Sequence, residues 1–223
     1  MFSLPFNPLQ IAAMAMGLLL GVDIHEFAHA WAANELGDST ARYQGRLSLN
    51  PLVHLDPMGT LMMLFSLFYG FGIGWGKPVP VNPWNLRRGR VGQGMVALAG
   101  PASNLVLAAI LALPFRLGWL GTGLIGGIWL TLISVNVSLA LFNLLPIPPL
   151  DGASVLIGLL SAIRQPWAYE WVHALEQISS QAPMIFLLLI LADQVFGQVL
   201  GRSILGLILV GPHVFIMRSM LGW

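Results

Sequence analysis

Cysteine is absent from this 223-residue chain, and charge is scarce: Asp, Glu, Lys and Arg make up only 9% of it. Without thiols there are no disulfides and no thiolate metal sites, so any metal must be held by nitrogen and oxygen. A formal net charge of +1 gives no footprint for a nucleic-acid partner. Soluble domains carry about a quarter charged residues, whereas this chain is 57% hydrophobic with a mean hydropathy of +0.79. A water-soluble fold of this length could not hide that much apolar surface, so the lipid bilayer is part of its solvent. The N-terminal MFSLPFNPLQ has no Lys or Arg before its apolar stretch and so lacks the basic region of a cleaved signal; the first span is expected to stay. With no repeats, no low-complexity tract and no appended soluble region, residues 1–223 read as one integral membrane domain.

Apolar segments occupy residues 9–33, 58–75, 91–115, 122–145 and 183–217, the last long enough for two spans divided near Gly201 and Arg202. A crossing needs ~20 apolar residues, and the 58–75 stretch, which ends in the glycine-rich YGFGIGWG, is marginal. If it crosses, Lys77, Arg87, Arg88, Arg90, Arg164 and Arg218 lie on one side and Arg42, Arg46, Arg116 and Arg202 on the other. If it dips in and returns, only Arg116 and Arg202 remain opposite the rest, which is a proper positive-inside bias. The re-entrant arrangement is therefore preferred, with the N-terminus outside and five true spans. Irregular backbone at membrane depth is tolerated only against protein or a wet cavity, so this segment should line a site. The KPVPVNP run at 77–83 alternates apolar residues with proline and reads as an extended edge, not a helix. The fold class is all-α and polytopic, with five to six embedded helical segments and a small re-entrant or β element. Its core covers about 9–160, and C-terminal helical segments follow at about 183–217. Trp75, Trp84, Trp167 and Trp223 suit an interfacial aromatic belt.

Within the first apolar helix stands His25-Glu26-Phe27-Ala28-His29. Residues i and i+4 share a helix face, so both imidazoles reach one ion. Neutral imidazole suits zinc, and Glu26, next to the first ligand, is placed to take a proton from a water whose pKa the metal lowers toward ~7. Three ionisable groups within five residues at membrane depth are costly unless they serve a purpose. A hydrolytic zinc takes a third protein ligand, and Asp151 is the candidate. It follows the 122–145 span after Pro146, Pro148 and Pro149, which break the helix and turn the carboxylate into a cavity. In the re-entrant arrangement that span runs parallel to the first, so all three ligands approach the same cationic face.

These motifs resemble the site-2 protease family of intramembrane metalloproteases, peptidase family M50. HEFAHA at 25–30 is similar to its HExxH element, NLLPIPPLDG at 143–152 to its proline-rich Asp-Gly element, and GPASN at 100–104 to its glycine-proline-asparagine element; the likeness runs from about residue 9 to 160. It implies one Zn2+ per chain held by His25, His29 and Asp151, with Glu26 as general base. Asn143 would hold the substrate backbone or the oxyanion, and Lys77, Pro78, Val79, Pro80 and Val81 would pair with an unwound substrate. Asn104, in the middle of its span, is expected to make a helix–helix hydrogen bond or else, with Gly152, to support the ligands from behind. The implied reaction is hydrolysis of peptide bonds in single-span or membrane-proximal substrates, in regulated intramembrane proteolysis. The implied setting is a bacterial inner or plasma membrane, with the active site toward the cytoplasm. Many relatives carry a PDZ or CBS domain; none is seen here, so regulation is expected from the core, an adaptor or a homo-oligomer. The stretch RLSLNPLVHLDPMG at 46–59 is typical of a compact bacterial branch. A catalytically silent client-binding relative and a metal or ion transporter are the rival readings. His54 and Asp56 are expected to be structural or interfacial, Asn136 a helix–helix contact, and His173 and His213 interfacial; Asp193 places a polar group inside the fifth segment.

Overall fold

A computed structural model describes residues 8–69, 75–201 and 203–223. Residues 1–7, most of the stretch read above for a signal, the glycine-rich residues 70–74 and Arg202 lie outside the described residues. The described residues are mostly helical: α1 (Pro8–Glu35), α2 (Thr40–Tyr43), α3 (Pro51–His54), α4 (Pro57–Tyr69), α5 (Arg90–Arg116), α6 (Leu124–Asn143), α7 (Asp151–Ala162), α8 (Pro166–Ser179), α9 (Ala182–Leu200) and α10 (Ile204–Leu221). Five of these, α1, α5, α6, α9 and α10, are long and apolar enough to cross a membrane. This is an all-α polytopic membrane protein.

Helix α5 is the central element, packed against α1, α6 and α7. Small residues allow the approach, as they do where lipid gives helices no hydrophobic reason to associate. A Cβ at Gly21 of α1 would stand 2.5 Å from Leu139 Cδ1 of α6. Gly94 of α5 and Gly158 of α7 are back to back, and a Cβ on either would lie 2.9 Å from the other's Cα. One buried apolar cluster joins Ala108 and Ala112 of α5, Ile133 and Val137 of α6, and Leu221 of α10.

The 58–75 segment behaves as the charge count suggested. Leu55 and Gly76, on either side of it, form an antiparallel bridge, and the Lys77 amide donates to the His54 carbonyl at 2.8 Å. The chain therefore leaves and returns at one place. Asp56 starts α4 by accepting from the Gly59 amide at 2.8 Å. That bridge is the only β pairing among the described residues, and the KPVPV run forms no ladder there. Pro78 and Pro80 supply no N–H.

Two findings depart from the sequence reading. Helices α7 and α8 fill residues that no apolar segment claimed, because both are far shorter than a span. The last helical pair also runs differently. Phe186 of α9 meets Phe142 at the end of α6, with ring centroids 6.1 Å apart, and the Leu205 amide donates to Asp193 at 2.9 Å. Further along α10, His213 reaches Ser134 at 3.1 Å, and Trp223 packs on Phe115 at 6.3 Å. Helix α10 is thus antiparallel to α6, and Arg218 lies toward the Arg116 end rather than with Arg88.

Candidate active site

His25 and His29 lie one turn apart in the second half of α1, their rings 4.5 Å apart and nearly perpendicular. Each ring is fixed from behind. His25 Nδ1 lies 2.7 Å from Asn104 Oδ1, and His29 Nδ1 lies 2.8 Å from the Val96 carbonyl. Both partners are acceptors, because the Asn104 amide nitrogen is spent as a donor to the Gly21 carbonyl (2.9 Å) and to Asn136 Oδ1 (3.0 Å). Both imidazoles therefore carry their proton on Nδ1 and present the Nε2 lone pair forward.

The third group arrives from the far side of α5. After Asn143 the proline-rich loop turns the chain, and Asp151 opens α7. Its Oδ2 is 3.0 Å from His25 Nε2, and its Oδ1 is 3.4 Å from His29 Nε2. The ligand atoms of His25, His29 and Asp151 all fall within 4.8 Å of one another. Two lone pairs and a carboxylate pointed at one another in a mostly buried pocket repel unless a cation sits between them. The donor set fits zinc: two neutral imidazoles, each held by an acceptor behind it, and one carboxylate. Gly100 keeps the space open, since a Cβ there would stand 2.5 Å from His29 Nε2 and 2.6 Å from His25 Nε2.

Glu26 is adjacent, and its Oε2 accepts from the Val79 amide at 3.1 Å. The KPVPV run thus passes alongside the carboxylate. It is held there by buried Arg46, which donates to the carbonyls of Val53, Lys77 and Pro78, and by buried Asp38, which accepts from the Asn82 amide at 2.6 Å.

Other residues singled out in the sequence fall into place around this centre. Gly152 lies where a Cβ would collide with the Leu144 carbonyl at 2.2 Å, so only glycine lets the proline loop close on α7. The Asn143 amide donates to the Leu139 carbonyl of its own helix at 3.0 Å. Asn136 supports Asn104, as a helix–helix contact should. His54 is fully buried, 2.8 Å from the Ser48 carbonyl and 3.8 Å from Asp23. His173 is exposed, and Asp193 caps α10. Sequence reasoning gave no role to Val96, Arg46 or Asp38. A backbone carbonyl leaves no trace in residue identity, and the two charges sit in a loop where solvated charges are ordinary.

Comparison with known proteins bears on this geometry. The family model described as Peptidase family M50 matches residues 120–190, which include Asn143 and Asp151. YwhC of Bacillus subtilis (strain 168), named as a candidate zinc metalloprotease, is 42% identical over 158 residues, covering 66% of this chain and 68% of that protein. The chain belongs to peptidase family M50. Two further M50 relatives carry similar names: Rip2 of Mycobacterium tuberculosis (strain ATCC 25618 / H37Rv) and MJ0611 of Methanocaldococcus jannaschii. Rip2 is 33% identical over 83% of this chain and 69% of its own length; MJ0611 is 33% identical over 66% and 69%. No solved structure matches this M50 chain.

Proposed function

We propose that this M50 protein is a zinc-dependent intramembrane endopeptidase, cutting single-span or membrane-proximal substrates at the His25, His29 and Asp151 centre. The observation that carries the reading is the convergence of two Nε2 lone pairs and a half-buried carboxylate beside the carboxylate of Glu26. One Zn2+ per chain, held by those three residues, supplies Lewis-acid activation of water and of the scissile carbonyl when bound.

The chain's own groups do the rest. Glu26 takes a proton on its carboxylate and returns it to the leaving nitrogen. The Val79 amide, 3.1 Å from Oε2, holds that carboxylate in place. Asn143 turns its amide from the Leu139 carbonyl toward the developing oxyanion. A substrate helix hides its peptide bonds, so it must unwind, and residues 77–81 receive it as an extended segment. With the Lys77 and Pro78 carbonyls held by Arg46, the Val79 carbonyl and the Val81 amide have no partner among the described residues and are the groups left for pairing. The excess of cations at the site end of the bundle favours a plasma membrane with the site toward the cytoplasm. Access is set by an adaptor or a second copy.

The deciding experiment reconstitutes wild type and Glu26→Gln in liposomes with a panel of tagged single-span substrates, and measures metal on both. Cleavage by wild type alone, with about one zinc on each protein, supports the reading. A chain that binds no zinc when it is supplied overturns it. Metal transport that survives Glu26→Gln favours a transporter instead.

A further inference from the structure

Helix α8 has no place in the chemistry, yet it is the most amphipathic of the longer described helices. Wound as a helix, PWAYEWVHALEQIS puts Trp167, Trp171 and Ile178 on one stripe, His173 across from it, and Glu170 and Gln177 on the polar flank between. Only the edge of the apolar arc is used internally: Ala168 and Val172 are buried. Trp167, Trp171 and Ile178 remain 50%, 61% and 44% exposed. At fourteen residues, about 21 Å long, the helix is too short and too polar to cross a bilayer.

Its depth is fixed by its neighbours. Glu176 takes a bidentate hydrogen bond from Arg90, the first residue of the α5 span, at 2.7 and 2.9 Å. Helix α7 leads to it by rising along α5 from Asp151 to Gly158, which packs on Gly94. Helix α8 therefore stands where α5 enters the membrane, level with lipid headgroups. Arg87 and Arg88, just before α5, and Arg164, just before α8, are all exposed at the same end.

We propose that α8 is a headgroup-seated anchor whose Trp167, Trp171 and Ile178 face enters the interface of an anionic leaflet while Arg87, Arg88 and Arg164 engage lipid phosphates. Tryptophan prefers the interface, where its ring is half in hydrocarbon and its N–H stays wet. Basic residues beside an apolar stripe are the charge complement of an anionic surface. A second copy fits this face less well, since a two-fold contact would bring its arginines against one another. The proposal does not depend on the protease reading.

The natural absence of cysteine makes the test direct. Single cysteines at Trp171, Ile178, His173 and Gln177 would each carry a nitroxide, in liposomes of phosphatidylcholine alone or with phosphatidylglycerol. Accessibility to oxygen and to a water-soluble nickel chelate reports depth. In the anionic liposomes the oxygen-to-nickel ratio should be about threefold or more higher at 171 and 178 than at 173 and 177. The contrast should shrink in phosphatidylcholine, and also in an Arg87→Gln, Arg88→Gln, Arg164→Gln protein whose elution profile in detergent is unchanged. Equal water access on both faces overturns the proposal, as does a contrast indifferent to lipid charge and to the three arginines. Spin–spin broadening between labels at 171 would identify a second copy as the occupant, and also overturns it.

Discussion

Gly100 occupies a position on α5 where any side chain would enter the candidate metal centre. A methyl group 2.5–2.6 Å from both Nε2 atoms cannot be accommodated by turning the rings, because their Nδ1 sides are tied to Asn104 and Val96. Gly100→Ala should therefore leave a folded protein whose zinc content after dialysis is lowered about tenfold or more, measured by atomic absorption. Wild-type zinc occupancy in that variant would refute the placement of the ion. Asn104 acts at one remove. Asn104→Ala frees the His25 ring and should weaken zinc about 10–100-fold in competition with a chelating dye. Asn136→Ala, which reaches the His25 ring only through Asn104, should cost less. The convergence of His25, His29 and Asp151 was legible, because HExxH on a helix fixes its own geometry and Asp151 is the carboxylate next to a helix-breaking run. What holds the rings was legible only in part: Asn104 stood out as a polar residue within an apolar span, while the Val96 carbonyl had no signal at all.

At the scale of elements, the KPVPV segment is positioned by loops far from it in sequence. Arg46 reaches three carbonyls with two nitrogens, and Arg46→Ala would leave those carbonyls unpaired and release residues 77–78. If the segment receives substrate, the expected signature is a KM raised about tenfold with kcat falling less, partly rescued by Arg46→Lys, which restores the charge but not the fork. An unchanged KM would detach the segment from binding. Asp38 secures the other end. Burial pushes its carboxyl up, but donors from Thr40, Asn82 and Asn85 outweigh that and hold it below its ordinary 3.8. A depressed carboxylate stabilises the fold fully above its unfolded pKa and loses that contribution as pH falls through the lower folded value. Asp38→Asn should lower the thermal midpoint in detergent near pH 7, at a cost of about 1–3 kcal/mol, and the gap from wild type should close as pH falls below 3.8. A gap independent of pH would assign the loss to shape rather than charge. The extended character of the segment and its re-entrant neighbour could be read from proline spacing and charge bias. The clamps could not, since each pairs residues more than thirty positions apart.

For the whole molecule, counting apolar blocks found the helices long and apolar enough to span but not their directions. The reading assumed that each half of the 183–217 block crosses, which sent the chain's end to the site face. The contacts give the α9–α10 pair one net crossing: α9 starts by Phe142 and feeds α10 through Asp193, and α10 climbs α6 to finish on Phe115. Helices α7 and α8 escaped for the complementary reason, since a window tuned to ~20 apolar residues cannot see short helices that support a site or sit at an interface. The cation bias survives the correction. Arg42, Arg87, Arg88, Arg90 and Arg164 stay at the site end, and Arg116 and Arg218 lie opposite. The chain should therefore place both the start of α1 and Trp223 on the face away from the site. Single cysteines at Leu9, Arg88, Arg164 and Trp223, probed in sealed vesicles with a membrane-impermeant maleimide, distinguish the two arrangements. Labelling of 9 and 223 from one side, with 88 and 164 from the other, is expected. Labelling of 223 together with 88 would mean that α9 crosses and that α10 runs parallel to α6, which the contacts of His213 and Trp223 forbid.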